Sequence, residues 1–96
     1  MKYELKLTSI ADQQVLNIYI FGAEHFGVVQ AEKYYDGLMG HIDDICDNPF
    51  AYVRSDDIKP EHRRSVYKSH SIYYRVSGDL VEVMAVIGRQ DFAKVL

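Results

Sequence analysis

The chain is poor in cysteine and has no long apolar run, and both shortages narrow its class. Its one cysteine, Cys46, has no partner for an intramolecular disulfide, so a cross-linked scaffold is excluded. No stretch approaches the roughly 18 consecutive apolar residues of a membrane-spanning helix. The N-terminus, Met1-Lys2-Tyr3-Glu4, has no hydrophobic signal core. These features predict a cytoplasmic protein. Metal-ligand spacing is also missing: His25, His41, His62 and His70 are scattered, and Cys46 stands alone. There is no glycine-rich phosphate loop, and Gly22, Gly27 and Gly40 read as packing, cap and helix-contact positions. No serine sits in a nucleophile elbow. The sequence therefore predicts neither a metal nor a cofactor, and Cys46 reads as a small core residue.

What is present is an ordinary globular composition, 48% apolar and 26% charged over 96 residues. That length predicts one domain, residues 1–96. The charge is uneven. Residues 1–48 carry three basic and eight acidic side chains, a balance of −5, and residues 49–96 carry eight basic and six acidic, a balance of +2. Between Lys59 and Arg75 stand five basic residues and one acid, Glu61. Nucleic-acid binders show a larger excess, so this region reads either as a solvated sheet edge or as a cationic patch for an acidic partner.

Periodicity orders the elements. Tyr3, Leu5 and Leu7 alternate with Lys2, Glu4 and Lys6, which predicts a half-buried first strand. Ser9 with Asp12 fits a capping box and starts a helix near Ile10. Ala11, Val15, Ile18 and Gly22 fall at helical spacing, widened by Leu16, Tyr19 and Phe26, and Gly27 ends the run. A second helix has one apolar face, Ala31, Tyr35, Leu38, Ile42 and Ile45, and closes at Asn48-Pro49. So short a connection makes the pair an antiparallel hairpin. Phe50 to His62 shows no sustained period and reads as a loop.

The stretch from Arg63 to Asp91 organises the rest. Arg63, Ser65 and Tyr67 alternate with Arg64, Val66 and Lys68; Ile72, Tyr74 and Val76 alternate with Ser71, Tyr73 and Arg75. Lys68-Ser69 and Ser77-Gly78-Asp79 read as turns. Leu80 to Ile87 is the longest strand, with Val81, Val83, Ala85 and Ile87 on one face and Glu82 its only charge. The fold class is α+β: strand, helical hairpin, then a three-stranded antiparallel meander (β-α-α-β-β-β).

Ribonuclease chemistry is the enzyme class these residues fit best. It needs a base, an acid and cations for phosphate. His70 or Glu61 would serve as base, with Arg64, Arg75 and Arg89 as cations. Nothing in the sequence gathers them into one constellation.

The element order, together with Ser69-His70-Ser71-Ile72-Tyr73-Tyr74-Arg75 and Gly88-Arg89-Gln90-Asp91, resembles the RelE/ParE toxin superfamily, and its ParE branch more closely. Two departures bear on activity. Many relatives have histidine where Gly88 stands. RelE-type ribonucleases use strand arginines and a C-terminal tyrosine or histidine, where this chain has Val66 and Val95 or Leu96. The ribonuclease machinery is incomplete by that comparison.

The resemblance implies a toxin that poisons DNA gyrase by binding rather than by chemistry of its own. It also implies a ParD-like antitoxin whose flexible segment folds on the toxin, in a higher-order hetero-oligomer. Neither a membrane nor direct nucleic-acid binding is implied. Target contact is expected at Arg89, Gln90, Asp91 and Phe92, and antitoxin contact at Tyr34, Leu38, Arg64 and Arg75. The rival readings are a ribosome-dependent mRNA endonuclease using Arg64, His70, Arg75 and Arg89, and an inactive relative that keeps only antitoxin binding.

Overall fold

The computed structural model describes residues 2–55 and 60–88. Strand β1 (Glu4–Leu7) leads into helix α1 (Ser9–Phe26). The cap between them is Thr8, one residue before the expected Ser9. Thr8 is extended, and its Oγ1 accepts the Ala11 N–H at 3.1 Å. The same hydroxyl donates to Met84 O at 3.1 Å, so one side chain both starts the helix and ties it to the sheet. Ser9 has no such second anchor and becomes the first helical residue.

Gly27, with φ 90°, ends α1 and is the only residue before α2 (Val28–Asp47). The helices pack closely where a Cβ at Gly22 would lie 3.4 Å from the Ala31 side chain. Ala11 and Val15 of α1 are buried, as are Ala31, Leu38, Ile42, Ile45 and Cys46 of α2. Three expected stripe members lie outside the core. Leu16 and Phe26 of α1 are exposed, and Tyr35 moves to the margin to pack edge-on against Tyr19 at 6.1 Å. Cys46 is buried at the C-terminal end of α2.

After a 3-10 turn at Pro49–Ala51 come β2 (Val53–Arg54), β3 (Arg63–Tyr67), β4 (His70–Ser77) and β5 (Leu80–Gly88). The sheet has five strands in the order β1-β5-β4-β3-β2. The expected meander is its centre. β1 closes one side by pairing parallel to β5, Glu4 opposite Leu80 through Leu7 opposite Val83. The expected loop Phe50–His62 contributes β2, antiparallel to β3. Two residues cannot show a period, and Val53 is 77% exposed, so β2 left no hydrophobic signature.

Strand β5 carries a bulge. Tyr73 faces Ala85 but Tyr74 faces Val83, so Met84 is an extra residue. The inward face therefore runs Val81, Val83, Val86, not Val81, Val83, Ala85, Ile87. Helix α1 satisfies the backbone groups the bulge disturbs: Thr8 takes Met84 O, and Gln14 Oε1 accepts the Val86 N–H at 2.8 Å. The core between hairpin and sheet is completed by Ile72 and Tyr74, whose hydroxyl donates to Pro49 O at 2.5 Å. Among the described residues, no helix is long and apolar enough to cross a membrane.

Candidate partner-binding groove

The closed end of the hairpin, around the Gly27 connection, overhangs the turn between β3 and β4, leaving a groove of about 570 Å³. Its hairpin wall is Ile18, Phe21, Gly22 and Phe26 from α1 and Gln30, Ala31, Lys33 and Tyr34 from α2. Lys68, Ser69 and His70 form the opposite side. Gly22 and Ala31 are small, so the helices meet closely beneath the opening. Phe21 and Phe26 are 55% and 69% exposed, large apolar surface left in water. His25 stacks on Phe21 at 3.9 Å and bonds its carbonyl through Nδ1 at 2.9 Å, which fixes the ring.

Tyr34 joins the hairpin to the turn. Its hydroxyl lies 2.6 Å from His70 Nδ1 and 3.4 Å from Ser69 Oγ, and donates to Tyr67 O at 3.4 Å. The rings of Tyr67 and His70 both meet Tyr34 edge-on at 5.4 Å. Tyr67 fits against α2 only because position 37 is glycine; a Cβ there would overlap its hydroxyl. Lys68 Nζ stands 5.9 Å from the Tyr34 centroid and 5.5 Å from that of Tyr67. Among the described residues lining the groove, the charged side chains are Lys33 and Lys68, both cationic. An apolar, aromatic slot with a cationic rim suits a segment that brings apolar side chains and carboxylates together.

The residues singled out in the sequence separate. His70 and Tyr34 meet in the groove. Arg64 and Arg75 project from the opposite face of the sheet, where Arg64 is exposed and Arg75 Nε donates to Glu82 Oε1 at 2.8 Å. His70 therefore shares no site with either arginine, and the base-plus-cation constellation does not form among the described residues. Leu38, expected to touch a partner, is 0% exposed within the core and offers no surface. Its place in the middle of the apolar α2 stripe is the reason. Arg89, Gln90, Asp91 and Phe92 lie outside the described residues. Cys46 is buried, and burial pushes its thiol pKa up, which disfavours the reactive thiolate. Phe21, Lys33 and Lys68 were not singled out; an aromatic out of phase with the buried stripe of α1 was the available signal.

A helical hairpin laid on a mostly antiparallel sheet, with an apolar groove at its connected end, defines a small α+β domain. The fold matches a chain of the chromosomal ParDE system from P. aeruginosa, with TM-score 0.80 and 17% identity over 91% of this chain and 96% of that one. A more distant likeness, TM-score 0.59 and 13% identity over 93% and 100%, is to a chain of the toxin–antitoxin complex RelBE2 from Mycobacterium tuberculosis. In sequence the chain is 35% identical over 65 residues to Toxin ParE1 of Mycobacterium tuberculosis, 67% of this chain and 66% of that toxin, just under two thirds of its length. It is 28% identical over 82 residues to Toxin ParE1 of Caulobacter vibrioides, covering 85% and 84%. The model of the ParE toxin of type II toxin–antitoxin systems matches residues 5–91. The chain belongs to the ParE toxin family.

Proposed function

We propose that this chain arrests growth by binding DNA gyrase in the cytoplasm, and that a ParD-like antitoxin neutralises it by laying an amphipathic segment in the hairpin groove. Such a pair would serve plasmid or genome stabilisation. The observation that carries the antitoxin half is the groove itself: exposed Phe21 and Phe26 facing a turn with a cationic rim, on a ParE-family chain. Tyr34 is the antitoxin contact on the hairpin.

Action by binding is supported by the separation of His70 from Arg64 and Arg75, so the histidine does not share a site with the strand arginines expected to grip phosphate. Target contact is assigned to Arg89, Gln90, Asp91 and Phe92.

Plasmid supercoiling by purified gyrase tests the reading. The expected result is inhibition with accumulation of linear DNA, reversed by the antitoxin encoded beside this gene. Undiminished supercoiling at large excess of folded protein would remove gyrase as the target and move the search to mRNA cleavage on translating ribosomes.

A further inference from the structure

The sheet contains two tight two-residue turns, and they differ in one respect. Both place a positive φ at the first turn position. Between β4 and β5 that position is Gly78, with φ 62°, the residue that adopts it at no steric cost. Between β3 and β4 it is Lys68, with φ 51°. A lysine held left-handed is strained, and such strain persists where the surroundings over-determine it and where a side chain is needed. The surroundings here are visible. Tyr34 bonds to the groups on either side of the turn, Tyr67 O and His70 Nδ1, and its ring with that of Tyr67 holds the ammonium. No ion pair joins Lys68 or Lys33 to a carboxylate among the described residues. Among the described residues the lysine thus presents a cation without a carboxylate partner at the mouth of an apolar groove, where glycine would make the turn more easily.

We propose that Lys68 is a specificity-determining residue that reads a carboxylate on an acidic amphipathic peptide segment seated in the groove, with Lys33 as a second cationic contact. This rests on the groove reading above. The segment's apolar side chains pack on Phe21 and Phe26. Its carboxylate meets Lys68 over the two tyrosine rings, where partial exclusion of water strengthens the pair. A segment of the same apolar pattern without that acid is discriminated against, because it leaves the cation half-desolvated and unmatched.

The test compares stability and affinity in the same variants, using the purified full chain and the purified ParD-like antitoxin of the reading above. Lys68→Gly is expected to melt at or above the wild-type temperature, since glycine relieves the turn. It should nonetheless bind the antitoxin about five- to tenfold more weakly and with a shallower salt dependence. Lys68→Glu is expected to lose more, and an acidic-to-lysine change in the antitoxin should restore it. Phe21→Asp serves as the apolar control. If both Lys68 variants bind as tightly as wild type while Phe21→Asp abolishes binding, the groove reading stands and the role of Lys68 is overturned. If Phe21→Asp also binds normally, the partner sits elsewhere and both fall. A Lys68→Gly protein that melts well below wild type would show that the lysine supports the turn, and would equally overturn the proposal.

Discussion

Tyr74 places a phenol in the middle of the core, with Pro49 O as its hydrogen-bond acceptor. Burial disfavours the phenolate, so the folded pKa lies well above the ordinary value of 10.0. The linkage has a definite sign. Below pH 10 the phenol is protonated in both states and contributes no slope. Above it the unfolded chain releases the proton while the folded chain does not, so stability falls as pH rises. Tyr74→Phe should cost about 1–2 kcal/mol at neutral pH through the unsatisfied Pro49 carbonyl. The gap should narrow from pH 10 upward in urea titrations of the two proteins. A gap constant between pH 8 and pH 11 would contradict a buried, neutral Tyr74. The inward phase of this residue was legible from alternation with Tyr73 and Arg75. The partner was not, because Pro49 is 25 positions away and no local pattern links them. Thr8 and Lys68 were hidden for a related reason: one depends on a contact 76 residues distant, the other on a φ that a sequence does not display.

At the scale of elements, α1 and the bulge in β5 stabilise each other. A bulge leaves backbone groups without ladder partners. Here Thr8 Oγ1, from the cap of α1, donates to Met84 O, and Gln14 Oε1, from its second turn, accepts the Val86 N–H. Gln14→Ala should destabilise the protein by about 1–3 kcal/mol, because Val86 is 2% exposed and its N–H would be left unpaired. Thr8→Ala should cost about 1–2 kcal/mol, combining a lost helix cap with a lost carbonyl partner. The double variant should cost less than the sum, since the two side chains secure one bulge. Strictly additive losses in thermal or urea unfolding would argue that the contacts are independent. Apart from β2, the order of the strands and helices and both turns were readable from period and turn chemistry. The bulge was not: Val83 to Ile87 are all apolar and show no phase of their own, and only pairing with Tyr73 and Tyr74 reveals that Met84 is the extra residue.

On the whole-molecule scale, the sheet divides the protein into two chemically different sides. The helix side carries the groove, with Phe21, Phe26, Tyr34 and Lys68. The opposite side carries Arg64 and an ion-pair row across three strands, in which Glu82 of β5 meets Arg75 of β4 at 2.8 Å and Lys6 of β1 at 3.9 Å. The sequence showed that aromatics and cations were abundant, but the face each occupies follows from strand register, and the groove follows from how far the hairpin overhangs. With the antitoxin segment confined to the groove and target contact assigned to Arg89, Gln90, Asp91 and Phe92, as proposed, neutralisation and target contact should separate genetically. Phe21→Asp is expected to weaken antitoxin binding by about 2 kcal/mol or more, roughly 30-fold, by placing a charge against an apolar anchor. It should leave gyrase inhibition intact, so the variant arrests growth even when the antitoxin is co-expressed. Arg89→Ala, or truncation after Gln90, should do the reverse, abolishing inhibition while the antitoxin still binds at wild-type affinity by calorimetry. Loss of both properties in Phe21→Asp, with the protein still folded by circular dichroism, would place the two partners on one overlapping surface. The antitoxin would then act by direct occlusion of the target site, not from a separate face.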